Sequence, residues 1–111
     1  MHEENMEETI VWRTVDTNLK FIGTKVAWAS NRRDRDTRWT EIEVYRTLSG
    51  KYVFALTEQT LWAGELDYYS ASVFPDVDKM FDFLKNEGPV GLELTKELAD
   101  KLGYDLTTSV D

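Results

Sequence analysis

The chain has 111 residues, 13 bases against 21 acids for a net charge of −8, one histidine and no cysteine. One domain fits that length, and a second would lack its own core. The missing cysteines exclude disulfides, thiolate metal sites and thiol nucleophiles, and a single His2 in an acidic tail gives imidazole catalysis or ligation almost no basis.

Residues 1–8 hold four glutamates and no base, which reads as a mobile acidic tail and not as a signal peptide. Thr9 to Val15 alternates as a short strand, and Asp16, Thr17 and Asn18 supply a turn. Lys20 to Ser30 is a longer strand. Strict alternation sets Ile22, Val26 and Trp28 on one face and Phe21, Gly23, Lys25, Ala27 and Ala29 on the other. Gly23 inside it marks a bulge or a close backbone approach. Asn31 to Thr37 is wholly polar, an exposed hairpin loop.

Arg38 to Leu48 resumes the alternation, with Ile42, Val44 and Leu48 against Trp39, Glu41, Glu43 and Tyr45. Ser49-Gly50 is a tight turn into a strand over Lys51 to Thr57. Glu58 to Glu65 is a connection whose Leu61 and Trp62 are expected to fold back onto the sheet. Leu66 to Phe74 is the last strand. The period then changes: Val77, Met80, Phe81 and Leu84 stand at helical spacing, behind Asp76 as N-cap and ahead of Gly88-Pro89. Leu94, Leu98 and Leu102 predict a second helix closed by Gly103, with Glu97 and Lys101 as an i, i+4 pair. The fold class is α+β: an antiparallel meander of four or five strands, then two C-terminal helices packed on one sheet face. The domain spans 9–105, and 106–111 is expected to fray.

Three pieces resemble a small bacterial family named for a C-terminal EXLDI motif. Phe21-Ile22-Gly23-Thr24-Lys25-Val26-Ala27 looks like its Phe-x-Gly-x-x-Leu-Ala. Val44-Tyr45-Arg46-Thr47 with Gly50-Lys51-Tyr52-Val53 is similar to its Val-Tyr-x-Thr and Gly-Lys-Tyr-Val. The acidic end is the third, and it departs, since no EXLDI occurs at Leu102 to Asp111. The likeness covers residues 20–56; it implies a prokaryotic origin and no known activity.

Charge is unevenly laid out. Residues 9–57 carry nine bases and five acids (+4), and residues 58–111 four bases and twelve acids (−8). If these halves occupy different faces, each attracts a different partner. Glu65, Asp67, Asp78 and Asp82 are the candidate protein-binding acids. Arg32, Arg33, Arg35 and Arg38 are the candidate nucleic-acid contacts, although interleaved Asp34 and Asp36 reduce their local charge to +2. Both faces of the strands carry rings, so Trp39, Tyr45, Trp62, Tyr68 and Tyr69 form the aromatic candidate set. The alternative is that the N-terminal strand and the 58–65 connection cover the second face. Glu41 and Glu43 share a strand face about 7 Å apart, a spacing usable for acid–base work or a divalent ion.

No phosphate-cradling glycine motif and no stretch of roughly 20 apolar residues is present. The expectation is a cytoplasmic, non-enzymatic interaction protein without cofactor or metal. Its acidic half would face a basic, nucleic-acid-associated protein partner, with self-association through the aromatic face as a further option. A nucleic-acid-binding module is the alternative, and a small carboxylate enzyme the third.

Overall fold

Alternation says which side chains share a face; register says which face is covered, and by what. The computed structural model describes residues 6–107 and 110. His2 and most of the acidic tail lie outside them. Among the described residues five strands, β1 (Glu7–Val11), β2 (Leu19–Ser30), β3 (Arg38–Thr47), β4 (Tyr52–Thr60) and β5 (Tyr68–Phe74), form one antiparallel sheet in chain order. Two helices follow, α1 (Val77–Glu87) and α2 (Gly91–Leu102). The α+β meander with C-terminal helices is the architecture the sequence predicts.

The helices cover one face. Ala27, Ala29, Ile42, Val44, Phe54 and Leu56 of the sheet meet Met80, Phe81 and Leu84 of α1 and Leu94, Leu98 and Ala99 of α2. The sequence signals work as local chemistry. Asp76 takes the Lys79 amide at 2.9 Å, leaving one fewer orphan donor in the first turn of α1. Gly88 closes that helix in the left-handed region at φ 57°. The Glu97–Lys101 pair forms at 3.0 Å, and Lys101 also donates to the Trp28 carbonyl. That bond lies on β2 beyond the stretch paired with β1, so α2 shields an otherwise bare strand edge.

The other face has no helices, yet Val11, Val53 and Ala55 are buried there, with Leu19, Phe21, Tyr45 and Ala71 packed around them. The sheet covers this face by curling on itself. Gly23 lets β2 and β3 approach closely: a Cβ at that position would stand 2.6 Å from the Arg46 carbonyl oxygen of β3. After β1 the chain crosses to β5, where Thr14 donates its amide to the Tyr69 carbonyl at 2.8 Å and accepts the Tyr69 amide on Oγ1 at 2.7 Å. The Trp12 and Tyr69 rings meet across that closure, 5.8 Å apart.

Several boundaries and faces differ from the expectation. The first strand ends at Val11, because the next residues leave β2 to reach β5. Of the two roles predicted for Gly23, the close backbone approach is the one found; the bulge in β2 is at Val26, since Lys25 lies opposite Tyr45 and Ala27 opposite Val44, which leaves Val26 as the extra residue. That residue reverses the alternation downstream. Trp28 therefore lies opposite Glu43 on the curled face, and Ala27 and Ala29 turn to the helices. β4 continues to Thr60, paired throughout with β3, and β5 begins only at Tyr68.

Candidate functional site

Arg38 pairs with Thr60 at the end of the β3–β4 ladder, so the 31–37 hairpin and the 61–67 connection emerge side by side. Polar bonds then tie them together. The Leu61 amide donates to the Thr37 carbonyl at 2.9 Å, and the Trp62 indole donates to Thr37 Oγ1 at 2.9 Å. Arg38 grips Glu65 with two guanidinium nitrogens, Nε at 3.0 Å from Oε1. Thr60 donates its hydroxyl to Glu65 and its amide to Asp67, the latter at 3.0 Å. Gly64 makes the intervening turn at φ 84°.

With its polar groups so engaged, the connection turns its apolar ones to solvent. Leu66 is 91% exposed, Leu61 63%, Trp62 54% and Tyr68 41%. The Arg38 guanidinium carbon lies 5.5 Å from the Trp62 ring centre. Between the two loops, Asn31, Arg38, Glu58, Leu66 and Tyr68 border an open groove of about 610 Å³.

The predicted site residues do not form one cluster. Of the aromatic set, Trp62 and Tyr68 are exposed at this end, and Trp39 lines the same groove as a largely buried ring. Trp39 is 7% exposed: the Arg32 guanidinium carbon lies over its ring, 3.9 Å from the centre, and its indole nitrogen donates to Glu41 at 2.8 Å. Tyr45 is half-buried in the curled face, edge-on to Phe21, and Tyr69 is taken up by Trp12. The N-terminal strand thus covers much of the second face, whereas Leu61 and Trp62 do not fold back.

The acidic set divides as well. Glu65 and Asp67 staple the connection internally. Asp78 and Asp82 stand on α1 beside Tyr104, whose phenol is held above its ordinary pKa by burial, then by the Asp78 hydrogen bond and neighbouring carboxylates. Among the arginines, Arg38 is engaged by Glu65, Arg32 by Trp39, and Arg33 approaches Glu93 of α2 at 3.8 Å. Arg35 alone of the four has neither a ring nor a carboxylate partner among the described residues, and it occupies the left-handed region at φ 70°. Charges that the sequence assigns to two different partners are, at Arg38 and Glu65, partners of each other.

The Glu41 and Glu43 pair is equally committed. Glu41 holds the Trp39 indole, and Glu43 pairs with Lys25. Glu43 also lies against Tyr45; burial first, and then this carboxylate, push the phenol up to about 12. Among the described residues no three His, Asp or Glu side chains gather as a metal ion requires.

Sequence reasoning missed Leu61 and Leu66 as surface residues. The signal for them was Ala63-Gly64, a turn that directs the flanking side chains away from the sheet. No family model matches the chain, and no curated protein or solved structure matches it either.

The Arg38–Glu65 contact has a pH signature. Hydrogen bonds from Arg38 and Thr60 lower the Glu65 carboxyl to about 2 from an ordinary 4.5. A carboxyl lowered on folding contributes stability that is present above its unfolded pKa and lost as pH falls through the folded one, so the window is about pH 4.5 down to 2. The pair is solvent-exposed, so its share of stability is small. Carbon-detected NMR titration of Glu65 is expected to give a midpoint near 2, moving up toward the ordinary range in Arg38→Gln. An ordinary midpoint in the wild-type chain would mean that the staple does not form in solution.

Proposed function

We propose that this chain is a small non-enzymatic interaction protein that grips a basic protein partner with the 61–68 segment. The observation that supports this most is the exposure of Leu61, Trp62, Leu66 and Tyr68 on a connection held in place by its own polar bonds. Exposed tryptophan and tyrosine beside arginine, here Trp62 and Tyr68 with Arg38, make up the composition of binding hot spots. A pre-ordered loop loses less entropy on association than a loose one. The net charge of −8 supports a basic partner, since it speeds the encounter of opposite charges. In this reading Glu65 and Asp67 act by shaping the loop, while Asp78 and Asp82, on α1 away from the 61–68 segment, add only to the overall negative charge. The engagement of Glu41 and Glu43 elsewhere favours a binding role over carboxylate chemistry. Nucleic-acid binding is less well supported, because three of the four candidate arginines already have partners within the chain.

The test is affinity capture from a lysate of the source organism, with wild type and a Trp62→Ala/Leu66→Asp double variant run in parallel. Both side chains are exposed, so the variant is expected to fold. A stoichiometric, nuclease-resistant protein is expected on the wild-type chain, with affinity for the variant lower by about tenfold or more. Equal capture by the variant, or release by nuclease, would defeat this reading.

A further inference from the structure

The end of the sheet opposite the 61–68 segment carries a second feature, independent of the proposed interface. There the curl does not close. Leu19, Phe21, Ile22, Leu48, Val53 and Val73 line a trough of about 440 Å³ beside the β3–β4 turn. Its volume lies in the roughly 300–1,000 Å³ range of small-molecule sites. Val53 is fully buried and forms the floor, whereas Leu48, Ile22 and Val73 are exposed at the mouth.

The walls are already ordered. The Thr47 amide donates to the Lys51 carbonyl at 2.8 Å, and the Lys51 amide donates to Thr47 Oγ1 at 3.0 Å. Gly50 completes that turn at φ 87°. A ligand entering here therefore finds a formed apolar surface and does not have to organise one.

The charge at the trough is opposite to that of the molecule. Acids outnumber bases 21 to 13 in the chain, yet no residue lining the trough is acidic and two are lysines, Lys20 and Lys51. Among the described residues neither ammonium group has a carboxylate partner, in contrast to Lys25 and Lys101, which do. An apolar floor with unpaired cations at its side complements one kind of small molecule, with an aliphatic body and a single anionic head.

We propose that the trough binds a free medium-chain carboxylate, its chain against Phe21, Val53 and Val73 and its head group at Lys20 and Lys51. A long-chain lipid buried along its whole length would need a deeper cavity than one that ends at Val53. A membrane surface would have to accept an overall charge of −8.

The experiment is an amide chemical-shift titration of the full chain with octanoate, and with octylammonium as a control of the same length and opposite charge. Octanoate is expected to give saturable shifts concentrated at residues 19–22, 47–53 and 73, and to bind more tightly than octylammonium. Lys20→Gln/Lys51→Gln, two surface changes, is expected to weaken octanoate roughly tenfold, about 1.4 kcal/mol. Leu48→Ser tests the apolar wall by itself and should also weaken binding. The proposal is overturned if octanoate produces no saturable shifts there, if octylammonium binds equally well, or if the double lysine variant binds like wild type. Adsorption to phosphatidylglycerol vesicles without an octanoate response would equally count against it.

Discussion

Phe81→Ala is expected to lower the unfolding free energy by about 3–5 kcal/mol, the usual cost of removing a buried phenyl ring. Phe81 has no exposed surface and lies in the cluster where α1, α2 and the sheet meet. Its ring stacks on Tyr104 at 4.2 Å with the planes 10° apart, so truncation also strips one side of Tyr104. A domain of this size holds about 5–15 kcal/mol in total, so the loss is about a fifth or more of what is available. Urea unfolding followed by tryptophan fluorescence measures it. Phe81→Leu, which keeps most of the volume, should cost clearly less. A loss under about 1 kcal/mol for the alanine variant would mean that α1 does not dock on the sheet as described.

The helices were legible because their signals are local. Asp76, the stripe from Val77 to Leu84 and Gly88 act within a few residues of one another, and each performs the role its spacing predicts. The sheet order was legible for a similar reason, since short turns leave successive strands little choice but to pair. The faces were less so. A single extra residue at Val26 turned Trp28 from its expected face, and period-two reasoning contains nothing that announces such an insertion. The candidate site was legible only in part. Exposed Trp62 and Tyr68 came from composition, but the contacts that shape their loop join Arg38 to Glu65 across 27 residues and Trp62 to Thr37 across 25. Arg32 covers Trp39, and that hid a ring which composition alone offered as a binding surface. The trough at Lys20 and Lys51 had no sequence signal, since it exists only where four strands come together.

Gly23→Ala is expected to destabilise by about 1–3 kcal/mol, although exchanging glycine for alanine in extended backbone ordinarily helps. The reason is contact and not backbone conformation. Gly23 stands between Glu7 of β1 and Thr47 of β3, and the added methyl would meet the Arg46 carbonyl oxygen at 2.6 Å and the Phe21 ring at 3.1 Å. A ring edge can rotate aside, but a carbonyl held in a ladder moves only if β3 moves with it. Relief requires β2 to move away from β3 here, which disturbs β1, paired with Gly23 through Glu7, and strains the Thr14–Tyr69 closure that follows it. Amide exchange should therefore quicken at Thr14 and Tyr69 in the variant while α1 and α2, docked on the opposite face, keep most of their protection. Denaturation gives the stability change, and exchange shows where it is felt. A variant as stable as wild type, with unchanged protection at Tyr69, would mean that the curl does not depend on the missing side chain at this position.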